Sequence, residues 1–412
     1  MILSVIVSER KRTARATILD RIQGTHPELE LWWDSPLTEY ELWRRDYLGA
    51  ASGPSERADR RNALDRFFDP KTGNGLLRGV TTNPSLVANS VLAHPAHWRD
   101  RICRFVHETG AIDPEEVLRM VQRAVVEETA EILHPLWRRS GGKYGWVSAQ
   151  TDPRHTLDAD AMIEHARYLA DISPNVMVKI PGSKAGYEAM SHLVAQGISI
   201  NNTLAYTVPQ FTRLAEIVRR TRGGGTDDQP WRAVITHMIG RYGAPGALGE
   251  QAKRRGLPLD LADIRWAEVA IVKNIQNTIR PFGPEVKMLL SSLQVDIDPE
   301  TGRALCPHIT ETCGCGIVYT LKPDVLKSLV NTEYQRMDFP ENAMSEPIPS
   351  DVFNRLMKLP YFRTAVDPDG LDEKEFETHP SFVDTYAEIL QNHSRLKDFV
   401  EHIVENSHCG AI

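Results

Sequence analysis

No stretch of the sequence is apolar for long enough to cross a bilayer, and no basic excess favours nucleic acid. The 48 Lys and Arg stand against 55 Asp and Glu, for a net charge of −7. Cysteine is scarce, five in 412 residues. That is too few for a disulfide framework, so a reducing, cytoplasmic setting is expected. The opening MILSVIVSERKR places apolar residues before basic ones, the reverse of a secretory leader. A G-x-G-x-x-G after the first β-like run is also missing. Its absence argues against a dinucleotide fold and leaves an open doubly wound sheet only as the alternative architecture. What remains is ordinary globular material, 41% hydrophobic and 25% charged, enough for one large barrel or two smaller domains.

Eight short β-rich runs punctuate the chain: LELWWD ending at Asp34, LLRGVTTNP at Pro84, YGWVSAQTD at Asp152, VMVKIP at Pro181, ISINNTLAY at Tyr206, AVITHMIGR at Arg241, VKMLLSSLQ at Gln294 and GIVYTLKP at Pro323. Most of the segments between them are long enough for a helix. In SKAGYEAMSHLVAQ, residues Ala189, Met190, Leu193 and Val194 fall on one face, and Gly197 comes next, where a helix would stop. Eight strand–helix units with near-continuous apolar strands predict a single parallel (β/α)8 barrel over 1–412, with added N- and C-terminal helices. Residues 50–75 read as an inserted loop and helix. Residues 331–375, rich in Pro, Asp and Glu, read as an irregular excursion. A final amphipathic helix near 380–405 presents Phe382, Tyr386, Ile389 and Leu390.

In such a barrel, chemistry collects at the C-terminal ends of the strands. Lys287 opens its strand and should lie at the opposite face, and Lys273 lies in a helical pattern. Lys179 and Lys322 each stand at a strand's C-terminal end. A buried lysine loses solvation, its pKa falls, and its amine becomes a nucleophile toward a carbonyl. The plain alternative is a lysine that snorkels from the mouth. Asp34, Asn83, Gln150, Asn201 and Thr203 also fall on or at the ends of strands. Each has an ordinary role open to it: a cap for Asp34, a turn for Asn83, a strand position for Thr203. Together they make an inventory for carbonyl chemistry: one nucleophile, one acid/base and neutral donors that orient hydroxyls.

The segments GVTTNPSLV, VMVKIPGSKAG, GISINNTLAYT and THMIGR, in that order, resemble those of transaldolases, Schiff-base enzymes on a (β/α)8 barrel. The resemblance runs from about residue 29 to 330. It implies Lys179 as the Schiff-base lysine and Asp34 as the acid/base for carbon–carbon cleavage. It implies Asn83 and Asn201 on donor hydroxyls, Thr203 on the catalytic water, and Arg241 and Ser292 in a phosphate set, with Thr236 also among the substrate-binding residues. It further implies transfer of a three-carbon ketol unit from a ketose to an aldose, sugar or sugar-phosphate partners, no cofactor, and a homodimer.

Three positions depart from the pattern. Gln150, in SAQTD, replaces the family's catalytic glutamate and cannot take a proton. Fructose-6-phosphate aldolases also carry glutamine there, paired with a tyrosine on strand six, but here that position is Met238. The neighbouring His237 titrates near neutrality and could assist, although strand alternation points it the other way. The family's ASFR on strand seven is SSLQ, so Gln294 offers a neutral amide where a guanidinium would hold phosphate. These departures suggest a specialised substrate, with secondary metabolism as its setting instead of the pentose phosphate pathway. They keep simple aldol cleavage and a non-catalytic sugar-binding barrel open as alternatives. Cys306, His308, Cys313 and Cys315 could bind zinc by type, but their spacing is tighter than that of structural zinc modules, so no metal is expected.

Overall fold

The computed structural model describes residues 16–222, 229–283, 285–297, 302, 304–331 and 337–405; the opening MILSVIVSERKR lies outside these. Eight parallel strands close into a barrel. They are β1 (Glu30–Trp33), β2 (Leu77–Thr81), β3 (Trp146–Gln150), β4 (Val176–Pro181), β5 (Ile200–Thr203), β6 (Ala233–Met238), β7 (Val286–Ser291) and β8 (Val318–Leu321). β8 pairs with β1 to complete the ring. All eight coincide with the β-rich runs of the sequence. Most of their residues are buried, because the lumen packs on one face and the helices on the other.

The period of two decides what fills the barrel. Trp32, Trp146, Met177, Val234, Leu289 and Val318 form one buried cluster inside it. Trp32 lies against Gly79, where a Cβ would come 2.5 Å from the indole. A step of two residues toward the C-terminal ends keeps the same face. It lands on Asp34, Thr81, Ser148, Lys179, Thr236, Ser291 and Thr320, so an apolar layer gives way to a polar one.

The helix Lys184–Ala195 forms as its spacing predicts. Ser183 caps it, accepting from the Gly186 N–H, and Tyr187, Ala189, Met190, Leu193 and Val194 are buried. Gly197, at φ 76°, ends it. The 50–75 insertion is a helix, Pro54–Phe67, followed by a small hairpin of Phe68–Asp69 with Asn74–Gly75. The described part of 331–375 departs from the irregular expectation. It contains two short helices, Ser350–Leu356 and Pro360–Val366, whose Leu356 and Phe362 are fully buried. Pro349 and Pro360 sit at the N-terminal ends of these helices, where a missing N–H costs nothing, so the prolines start helices instead of breaking them.

The final helix, Pro380–Glu405, buries Phe382, Thr385, Ile389, His393, Leu396 and Val400. It packs on the helices Pro84–Ala93 and Pro114–Arg139. It also touches the segments just beyond β2, β3, β5 and β6, through Asn392 to Ser85, His393 to Asp152, Thr385 to Tyr206 and Glu388 to Arg241. The C-terminal helix therefore lies along the rim of the barrel's C-terminal mouth. No helix among the described residues is long and apolar enough to cross a membrane. Among the described residues, Cys306, Cys313 and Cys315 are free thiols, while Cys103 is disulfide-bonded where reduced cysteines were expected.

Candidate active site

Lys179 lies on β4 in register with Gln150 of β3 and Asn201 of β5. Neighbours in register on a parallel sheet share a face, so all three side chains enter the barrel. Lys179 is 5% exposed. Burial pushes its ammonium down to about 8, against a smaller opposing pull from the Asp34 carboxylate. Lys322, the competing strand-end lysine, is exposed at the start of the helix Pro323–Val330. The structure thus separates the two: one is desolvated in the lumen and the other is solvated outside it.

Asp34 leaves β1 on the same inward face and is buried. Thr81 on β2 donates to its Oδ1 at 2.6 Å. The Thr81 and Thr320 hydroxyls lie 2.9 Å apart. With the Thr81 proton on Asp34, Thr320 donates to Thr81, and a two-step relay fixes the carboxylate.

Asn201 is held from both sides. Its Nδ2 donates to Ser148 Oγ at 2.8 Å, and its Oδ1 accepts from Thr236 Oγ1 at 2.7 Å. The Thr236 hydroxyl proton therefore orients Asn201, and its oxygen keeps acceptor capacity for the substrate contact expected of it. Thr203 is buried at the end of β5, its carbonyl accepting from Gly182 N–H at 2.6 Å. Asn83 caps the helix Pro84–Ala93, its Oδ1 accepting from Leu86 N–H at 2.9 Å, which leaves Nδ2 to donate elsewhere. Gln150 Oε1 is buried without a hydrogen-bond partner.

On the far side, Met238 ends β6 in register with Ser291 of β7. Tyr206 supplies a hydroxyl beside Met238, at 3.3 Å from its sulfur, but it donates to Thr385 Oγ1 at 2.7 Å. His237 faces out of the barrel into Tyr206, Phe211 and Tyr242. Burial lowers it to about 4, so it is neutral and takes no part in the lumen. Arg241 lies just past β6 and pairs with Glu388 at 2.7 Å. Ser292 and Leu204, just beyond β7 and β5, adopt left-handed backbone (φ 56° and 54°), an uncommon and costly conformation for non-glycine residues that the packing around both loop starts must hold.

The Cys306–Cys315 stretch supports this site without entering it. His308 Nδ1 accepts from Gln294 N–H at 3.0 Å, so its other nitrogen carries the proton toward Glu268, 2.7 Å away. Glu268 is fully buried and also accepts from Arg265 and from Gly243 N–H. Cys306 Sγ reaches Gln294 O at 3.4 Å, and Cys313 Sγ reaches Pro340 O at 3.2 Å. Burial pushes each of the three thiols up to about 12. Among the described residues, no group of three or more His, Cys, Asp or Glu is arranged to hold a metal ion.

Sequence reading missed Thr81, Ser148, Ser291 and Thr320. The alternation within each strand carries the signal for all four. It also missed Thr385 and Glu388, which no local pattern marks, because they reach the mouth from a helix that begins more than two hundred residues after Lys179.

Residues 62–391 match the family model described as transaldolase/fructose-6-phosphate aldolase. Curated relatives agree. A protein named transaldolase 1 from Streptomyces avermitilis is 31% identical over 169 residues, 40% of this chain and 44% of that protein. A transaldolase from Mycobacterium ulcerans is 38% identical over 151 residues, covering 36% and 39%. One from Thiobacillus denitrificans is 30% identical over 169 residues, covering 40% and 46%. The matched stretches thus span less than half the length of these relatives, while the family model covers most of the chain. With its closed eight-stranded barrel, the chain belongs to the transaldolase/fructose-6-phosphate aldolase family.

Proposed function

We propose that the protein is a transaldolase-type enzyme that moves a three-carbon ketol unit between sugars through an imine on Lys179. The observation that carries this reading is the desolvated amine of Lys179, inside the barrel between Gln150 and Asn201, with Asp34 held on the same inward face. At pH 7 an amine with a pKa near 8 is about a tenth unprotonated, some hundreds of times more than an ordinary lysine.

The Lys179 amine adds to the ketose C2 carbonyl, and loss of water gives the iminium. Asp34 takes the proton of the C4 hydroxyl as the C3–C4 bond breaks. The aldehyde leaves, and the bonding pair stays as a three-carbon enamine that the iminium nitrogen stabilises. Attack of the enamine on an aldose aldehyde, with Asp34 returning its proton, builds the new ketose. Water then frees it from the lysine. Asn83 and Asn201 orient donor hydroxyls, and Thr203 holds the water. Gln150 positions that water with its unpartnered Oε1 but cannot deprotonate it.

A second reading, aldol cleavage or synthesis without transfer, rests on Gln150, since weak water activation alters how the enamine is released. Product formation with and without an acceptor aldose separates the two. The reading as a whole is tested by borohydride reduction in the presence of a ketose. The donor mass should appear on the peptide that holds Lys179 and vanish in Lys179→Ala. A label on Lys322 would overturn the assignment. Asp34→Asn should still trap the imine but lose cleavage by about a hundredfold or more.

A further inference from the structure

The exits of β6 and β7 form one side of the mouth. A Cβ on Gly240 would come 2.4 Å from Ser292 O and 2.8 Å from Gln294 Nε2, so these two loops are packed together. Three features of this side concern charge. Arg241 is engaged by Glu388 of the C-terminal helix, Nη2 to Oε2, 2.7 Å. Gln294 turns its amide back on its own loop, Nε2 donating to Ser292 O at 3.2 Å, and the His308–Glu268 pair pins that loop through the Gln294 N–H. Ser291 faces the lumen in register with Met238, is 6% exposed, and has a buried Oγ without a partner.

We propose that this side of the site binds the neutral, hydroxyl-bearing end of an unphosphorylated sugar, with Ser291 as the group that reads the hydroxyl and Glu388 as the residue that disfavours a phosphate. The inference rests on the Lys179 reading and names the substrate class for it. A phosphate dianion is held most strongly by charged donors in a fixed fork. Arg241 is already half of an ion pair, and a phosphate beside it would meet the Glu388 carboxylate. Specificity of this kind works by repulsion as much as by attraction. A sugar hydroxyl makes no such demand. It both donates and accepts, and so completes Ser291 Oγ, which is otherwise a buried polar atom left unsatisfied.

The test compares matched ketoses, fructose and fructose 6-phosphate, by borohydride trapping and by steady-state transfer to a common acceptor. The intact chain should saturate at lower concentration with the free sugar. Glu388→Gln is a half-exposed, near-isosteric change that leaves the fold in place. It should release Arg241 and move the preference about tenfold toward the phosphate ester. Ser291→Ala should raise the Michaelis constant for the free sugar about fivefold and leave the ester little changed. Preference of the intact chain for the phosphate ester, or an unchanged ratio in Glu388→Gln, overturns the inference while trapping at Lys179 continues to support the enzyme. Absence of any adduct at Lys179 with either sugar removes the enzymatic reading, and the inference goes with it.

Discussion

Each end of the barrel holds a lysine largely out of solvent, and the two treat it in opposite ways. At the N-terminal end, Lys287 donates to Glu30 Oε1 at 2.7 Å, Arg232 reaches the same oxygen at 2.8 Å, and Trp32 Nε1 donates to Oε2 at 2.9 Å. Burial alone would raise the Glu30 pKa, but the two cations outweigh it and hold the carboxyl at about 2. Every charge there has a partner, as buried charges must if the fold is to carry them. At the C-terminal end, among the described residues, no ion pair or hydrogen bond engages Lys179 Nζ. The same residue type is a plug where it is paired and, in the function proposed above, a nucleophile where it is not, and strand polarity decides which. An unpaired buried amine destabilises the fold, and the same desolvation lowers its pKa and so raises the share of free amine at neutral pH.

Substitution of each lysine in turn is the sharpest way to break this contrast. Lys179→Met should lower transfer by about ten-thousandfold or more, whereas Lys287→Met should leave turnover within about threefold. Comparable losses in both would dissolve the distinction. Stability should respond in the opposite sense. Glu30→Gln strands Arg232 and Lys287 without their carboxylate and should cost about 3–5 kcal/mol in denaturant unfolding. Lys179→Met removes a charge whose pKa falls from 10.5 to about 8 on folding. It should therefore stabilise the protein by up to about 3 kcal/mol at pH 7. The sign comes from the depressed pKa: the cost of burying the ammonium is fully present below about pH 8 and fades between there and 10.5. The advantage of Lys179→Met over the intact chain should shrink over that interval. Next in size, the rate of imine trapping should climb about tenfold from pH 7 to a plateau above pH 8. A climb that continues toward pH 10 would mean that Lys179 is solvated.

Much of this arrangement was legible in the chain. The eight strands, the helix after β4 with its Gly197 stop, and the opposite placement of Lys179 and Lys287 all arise from local periodicity and strand polarity. Local patterns of that kind survive folding because each strand must bury both faces. Other features depend on contacts that no short window contains. The prolines near 349 and 360 look like breakers until the apolar faces they precede find a surface. Asn83, Gln150 and Asn201 are visible as strand-end residues, but only the closed register shows that Thr236 serves Asn201 and that His237 faces away. Glu388 is one of many acidic residues on an amphipathic helix, and nothing in its neighbourhood marks it as the partner of Arg241.

The smallest effect concerns how the C-terminal end fixes Asp34, the proposed acid/base. The Glu30 carboxylate is held by two cations, whereas Asp34 is held by a neutral hydroxyl, Thr81 Oγ1, which Thr320 in turn orients. A neutral hydroxyl donor fixes the orientation of the carboxylate without a salt bridge to it. Thr81→Val keeps the shape and removes that donor. One hydrogen bond to a charged group contributes about 1.5–3 kcal/mol, and solvent or substrate hydroxyls can replace part of it. Carbon–carbon cleavage should therefore fall about fivefold to tenfold, with borohydride trapping of the imine unchanged. In an Asp34→Asn background the same substitution should do almost nothing further, because Thr81 acts through Asp34. Equal loss of trapping and cleavage would show that Thr81 only supports the β1–β2 packing. Additive losses in the double variant would show that it touches the substrate directly.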